Sequence, residues 1–177
     1  MARFPLPFIP GQNYHHGGIR FGAQREDGAR HHAGCDLIAR PGTPVLAIDW
    51  GIVIRIPKTP FIKNTKLYSV VVEHSRFIAR YGEVELPTLD QLYEGKEVQE
   101  GDLISYIARN NCGGGMLHLE LFSKDAGGEY YQPYNKKYLN VEPRKYKRRA
   151  DLLDPTPFLD ELAMWTDWSQ TNAEDWP

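Results

Sequence analysis

At 177 residues the chain is long enough for one domain with extensions, and for a core that needs no disulfide staples. Its 21 Lys and Arg against 23 Asp and Glu leave a formal charge of -2, which excludes a global field drawing it to nucleic acid or to an anionic membrane. Only two cysteines occur, Cys35 and Cys112, and their separation indicates neither a disulfide framework nor a Cys-x-x-Cys zinc knuckle; they read as buried free thiols, with one bridge between them the alternative.

The first residues are interrupted by Pro5, Pro7 and Pro10, so they lack the continuous apolar run of a secretory signal. No later stretch approaches the roughly 20 apolar residues of a membrane span. The expectation is a protein made in the cytoplasm and not inserted in a membrane. Residues 1–18 read as an N-terminal extension, 19–165 as the main domain, and 166–177 as a polar, acidic tail. Within the domain, residues 11–34 are polar and rich in Gly and His, and predict a loop over the site. Short apolar runs and turn residues then alternate at the spacing of an all-β domain. Residues 44–48 and 51–56 predict one hairpin, and residues 67–74 and 77–84 another. The turn Gln99-Glu100-Gly101-Asp102 leads into a strand over 103–108, and residues 116–122 predict a last strong strand. Residues 127–149 are rich in Tyr and Lys and read as an insertion or surface excursion. The basic run at 144–149 reads as a solvated face. Phe158, Leu159, Leu162 and Trp165 fall at helical spacing and predict a short helix packed on the sheet.

The chemistry is carried by two separated segments, His32-Ala33-Gly34-Cys35-Asp36 and Met116-Leu117-His118-Leu119-Glu120. Together they supply two imidazoles and one carboxylate, a set that holds zinc while leaving a fourth position open, as in hydrolytic sites. Strand alternation puts Met116, His118 and Glu120 on one face and Leu117, Leu119 and Leu121 on the other, which predicts the leucines in the core. The run Gly113-Gly114-Gly115 allows close backbone approach just before this strand. Glu120 reads either as an acceptor for the outer N–H of a ligating histidine or as half of a surface pair.

These residues resemble the zinc peptidases of the lysostaphin and LytM type, which cut peptide crosslinks in bacterial cell walls. The resemblance runs in order from Ile19-Arg20-Phe21-Gly22, through His32-Ala33-Gly34-Cys35-Asp36 and Pro41-Gly42-Thr43-Pro44-Val45, to Glu73-His74 and Arg80-Tyr81-Gly82-Glu83. It closes on Gly101-Asp102-Leu103-Ile104 and Leu117-His118-Leu119-Glu120. The resemblance implies an all-β fold with an antiparallel β-sheet groove, long loops and a short C-terminal helix, and zinc held by His32, Asp36 and His118.

Two departures from the family's usual pattern bear on function. Where the family reads His-x-His at the last strand, the first position here is Met116; where it reads Tyr-x-His in the central hairpin, the last is Glu83. A branch that pairs Arg-Tyr-Gly-Glu with Leu-His-x-Glu and an Arg-Arg-x-Asp-Leu-x-Asp-Pro-Thr-Pro tail is similar to this chain, whose Arg148 to Pro157 segment follows that tail. A carboxylate can take a proton from zinc-activated water, so Glu83 is the expected general base. Tyr81 and His74 are expected to bind or polarise substrate, and His31 and Met116 to contact it. The implied function is a zinc-dependent peptidoglycan hydrolase cutting an amide bond in the stem peptide or crosslink, acting in the periplasm or cell wall after delivery. A delivery apparatus, such as a phage particle or a contractile secretion system, and a cognate immunity protein are the implied partners. The alternatives are a catalytically silent zinc-binding module that recognises peptidoglycan or a protein, and a structural component of a phage tail or secretion spike.

Overall fold

The computed structural model describes residues 2–127 and 146–170. Most of the proposed excursion at 127–149, and residues 171–177 of the tail, lie outside the described residues. Among the described residues eleven strands follow in order: β1 (Gln24–Arg25), β2 (Arg30–His31), β3 (Cys35–Ile38), β4 (Pro44–Leu46), β5 (Gly51–Arg55), β6 (Tyr68–His74), β7 (Ile78–Val84), β8 (Glu97–Val98), β9 (Leu103–Tyr106), β10 (Met116–Phe122) and β11 (Leu152–Leu153). Among the described residues one α-helix, α1 (Thr156–Trp165), follows them, before a short 3-10 turn at Trp168–Gln170. No helix among the described residues is long and apolar enough to cross a membrane.

The main sheet runs β11-β10-β7-β6-β5-β8 and is antiparallel, with β3 added beside the first half of β10. Strand β6 carries Val70, Val71 and Val72, whose branched side chains suit a pleated surface, and it turns tightly into β7 as expected. Strand β10 is the spine, because it pairs with β3, β7 and β11. Its alternation is the expected one: Leu117, Leu119 and Leu121 are buried in the main core with Leu37, Val70, Tyr81 and Ile104. Gly115 lets β10 start there. A Cβ on it would stand 2.7 Å from Ile107 Cγ2 and 3.1 Å from the Ala39 carbonyl.

The hairpin predicted over 44–48 and 51–56 does not form. Strand β4 pairs with β9, whereas β5 pairs with β6 and β8. The residues between them cross over instead of turning back, with Ala47 and Ile48 buried and Trp50 exposed. Ala47 donates to the Asp102 carbonyl, Ile48 is fully buried, and its N–H donates to the Tyr81 hydroxyl. Residues 11–34 hold a small β1–β2 ladder and two 3-10 turns where a loop was expected.

Helix α1 packs Leu159 and Leu162 into the core, with Phe158 against its edge. Trp165 departs from the expectation: it is 74 % exposed, because the buried stripe is narrower than the spacing suggested. Beyond the helix, Thr166 Oγ1 donates to the Leu162 carbonyl and accepts the Phe4 N–H at 2.7 Å. Phe4 and Leu6 are fully buried, so the start of the chain is part of the core. The basic run is not a solvated face where it is described. Arg149 makes a two-pronged pair with Asp151 at 2.8 and 2.6 Å, and Arg148 pairs with Glu120. Cys35 is buried as expected; Cys112 is exposed, and neither is bridged.

Leu119 lies at the centre of β10 with no exposed surface, so Leu119→Ala should lower unfolding free energy by about 2 to 5 kcal/mol. Urea denaturation followed by circular dichroism measures this.

Candidate metal centre

The register of β3 on β10 sets Asp36 directly opposite His118, on the face away from the leucines. His32 reaches the same point from the segment leading into β3, where its N–H donates to the Ala23 carbonyl at 2.8 Å. Gly34 makes this approach possible: a Cβ there would lie 2.4 Å from the Leu119 carbonyl and 3.0 Å from the His118 ring. All three side chains are buried.

Their inner atoms converge. His118 Nδ1 lies 2.7 Å from Asp36 Oδ1 and 3.0 Å from His32 Nε2, and His32 Nε2 lies 3.1 Å from Asp36 Oδ1. The outer nitrogens are both anchored, His32 Nδ1 on the Arg20 carbonyl at 2.8 Å and His118 Nε2 on Glu120 Oε1 at 3.0 Å. An imidazole that donates from one nitrogen presents a lone pair at the other. Two imidazole nitrogens and a carboxylate oxygen therefore face one another, a set that could hold a metal ion between them. The donor set fits zinc, whose tetrahedral ligands stand about 3.3 Å apart at bond lengths of about 2.0 to 2.1 Å.

The electrostatics agree with such a site. Burial alone would lower the His118 pKa, but its bonds to Asp36 and Glu120 raise it to about 9. Burial would raise Asp36, yet the bonds from His118 and His32 hold it at about 2. The cluster by itself holds a proton, which a divalent cation displaces. Glu120 has no exposed surface. Burial pushes its carboxyl up, and Arg148 and Arg80 reverse this, holding it well below the usual carboxylate range. Arg148 donates to Glu120 Oε1 from Nε at 2.7 Å, and its Nη2 lies 2.6 Å from the same oxygen. Of the two readings for Glu120, the structure takes the acceptor for His118 Nε2.

Above the ligands lies a cleft of about 880 Å³. Glu83 and Met116 both line it. Glu83 reaches it by a departure from strand geometry. Strand alternation would put it on the core face with Tyr81, but the β6–β7 register slips between Tyr68 and Ser69, which pair with Val84 and Gly82, so Glu83 is the extra residue of a bulge. Its φ is +63°, a left-handed conformation that a glutamate adopts only under constraint from its surroundings. The side chain is 9 % exposed, and burial raises its pKa; the charges of His118, which lowers it, and Asp36, which raises it, both act on it.

Three predicted site residues stand elsewhere. Tyr81 pairs in register with Leu119 and Val70, so it faces the core and not the cleft. Its hydroxyl accepts the Ile48 N–H at 3.0 Å and donates to His74 Nε2 at 3.2 Å, while His74 Nδ1 donates to the Trp50 carbonyl at 3.0 Å. Tyr81 and His74 are thus a satisfied buried network, and burial lowers the His74 pKa, keeping it neutral. His31 lies edge-on to Tyr146 in the β1–β2 ladder and is not among the cleft residues.

Some neighbours were not anticipated. Phe61, in the loop between β5 and β6, lies with its ring 5.3 Å from His118 and 4.6 Å from the Arg80 guanidinium. Nothing local in the sequence marks it. Arg80 and Arg148 stand inside two of the motifs, and Glu120, an acid on the same strand face as His118, is the signal in the sequence that basic partners exist.

A family model described as Peptidase family M23 matches residues 30–133. Among solved structures, the chain is similar to the crystal structure of cbpa from L. salivarius REN, with 19 % identity over 93 % of this chain and 98 % of that one and a TM-score of 0.60. LytU is similar at 21 % identity over 85 % and 90 %, with a TM-score of 0.55. The antimicrobial peptidase lysostaphin from Staphylococcus simulans is similar at 14 % identity over 93 % and 56 %, with a TM-score of 0.56. At these identities the likeness is one of fold, and the fold is the lysostaphin and LytM type. A comparison with curated proteins found no match.

Glu120→Gln keeps the shape of the residue and removes the charge behind His118. It should weaken zinc affinity by about 10- to 100-fold, measured by competition with a chromogenic chelator. Gly34→Ala should lose zinc more severely, through displacement of the His118 ring.

Proposed function

This chain belongs to peptidase family M23, and from that membership we propose a zinc-dependent peptidoglycan hydrolase that cuts an amide bond in the stem peptide or crosslink. His32, Asp36 and His118 are the residues that would hold the ion. Bound there, zinc supplies Lewis-acid polarisation of the scissile carbonyl and brings the pKa of a water toward about 7. The observation that carries the reading is Glu83, turned by a bulge at positive φ out of the core and into the cleft beside the ligands.

Of the three carboxylates among the described cleft residues, Asp36 is a ligand in this reading and Glu26 is paired with Arg30 and Lys147, which leaves Glu83 for the water. As the water oxygen adds to the carbonyl carbon, Glu83 accepts the water's proton. It then returns that proton to the amide nitrogen as the carbon–nitrogen bond breaks, leaving a carboxylic acid and an amine. Burial favours the protonated form of Glu83 and so makes it both a stronger base than an exposed glutamate and a usable acid.

Met116 lines the cleft without a hydrogen to donate, which favours a second reading, a silent zinc-binding module. The two readings separate on one experiment. Zinc-loaded protein incubated with purified sacculi should release peptide fragments seen by mass spectrometry. Glu83→Gln should lower that rate by about 10² to 10⁴ while retaining its zinc, measured by atomic absorption. Unchanged turnover removes Glu83 from the mechanism, and no fragments from the parent protein at any metal loading favours the silent module.

A further inference from the structure

The chain is acidic overall, yet its cleft is basic. Among the described residues, seven Arg and Lys side chains line the cleft against three carboxylates, Glu26, Asp36 and Glu83. Asp36 belongs to the ligand set, and Glu26 is shared between Arg30 at 2.7 Å and Lys147 at 3.2 Å. A cleft of one sign with low-dielectric walls concentrates groups of the other sign.

The floor of this cleft holds an under-partnered cation. Arg80 faces the cleft from β7, opposite Glu120 and two residues before Gly82, which pairs with His118. Two residues along a strand set it about 7 Å from the ligand. Its natural counter-ion is already engaged, since Glu120 Oε1 takes the bonds from Arg148 and His118. What remains for Arg80 Nη1 is Glu120 Oε2 at 3.5 Å, and both of these buried atoms lack a hydrogen bond. Arg80 Nε reaches Ser69 Oγ only at 3.4 Å. The Phe61 ring covers one face of the guanidinium at 4.6 Å, and the side chain lines the cleft. Lys63, exposed two residues beyond Phe61, lines the same cleft at its rim. A guanidinium so placed is stabilised by an anion brought to it, and its fork matches a carboxylate.

We propose that Arg80, with Lys63 at the rim, forms a carboxylate-binding subsite, so that the preferred substrate is an acidic peptide with a free carboxylate about two residues from the amide that is cut. This rests on the hydrolase reading of the cleft and adds to it the chemical class of the substrate.

The test compares a stem tetrapeptide carrying free carboxylates with the same peptide fully amidated. Binding to the zinc-loaded full chain is measured by isothermal titration calorimetry, and cleavage in parallel by mass spectrometry. The free acid should bind about tenfold tighter. That preference should weaken with added salt, shrink in Lys63→Gln and be lost in Arg80→Gln. Circular dichroism and zinc content establish that each variant is folded and loaded; if Arg80→Gln fails to fold, Lys63→Gln and the salt series decide. Equal binding of acid and amide overturns the subsite, whether or not either is cut. Tighter binding of a glycerol-phosphate oligomer than of the free-acid peptide overturns it too. A preference for the acid without cleavage of either peptide supports the subsite and counts against the hydrolase.

Discussion

The carboxylate of Glu120 is the point on which the site depends. It has no contact with solvent, and it is ionised because Arg148 and Arg80 surround it. Through Oε1 it fixes the outer nitrogen of His118, which turns the inner nitrogen toward Asp36 and His32. Through Arg148 it joins the segment before β11 to the ligand strand, and through Arg80 it joins β7. One buried charge thus positions a ligand, fastens three parts of the chain, and leaves a cation facing the cleft. Such a group is costly to bury, and removing any partner exposes that cost.

The second constraint is the slip in the β6–β7 ladder. Tyr81 and Glu83 are two residues apart and would share a face in a regular strand. The bulge separates them: Tyr81 completes a core network with Ile48 and His74, and Glu83 enters the cleft. A hydrophobic sheet and an acid beside the candidate ligands coexist on one strand because the backbone takes an unfavourable conformation at a single residue.

What the sequence made legible follows from what is periodic or local. The alternation of Met116 to Phe122 and the spacing from His32 to Asp36 are local, and the structure brings the three expected ligands together. The bulge is not legible, because the slip depends on β6 as much as on β7; so Tyr81 and His74 were expected at the site and lie in the core. The crossover at Ala47 and Ile48 resembles a turn in sequence, since Asp49, Trp50 and Gly51 are turn-like, while the pairing partner of β4 lies far along the chain in β9. Arg148 and Arg149 look like a surface run because nothing nearby shows that their acids, Glu120 and Asp151, are buried.

The bond from the Phe4 N–H to Thr166 spans 162 residues, and Phe4 and Leu6 are buried against the core that this contact helps to close. The contact from His118 to Asp36 spans 82. As the chain is synthesised from its N-terminus, neither contact can form early. The Phe4 bond waits until α1 has emerged, although Arg3 and Pro5 already have partners in Ile48 and Leu46, and His32 and Asp36 wait for His118 until β10 is made. Bringing His32, Asp36 and His118 to one point is therefore a late event in the life of the nascent chain.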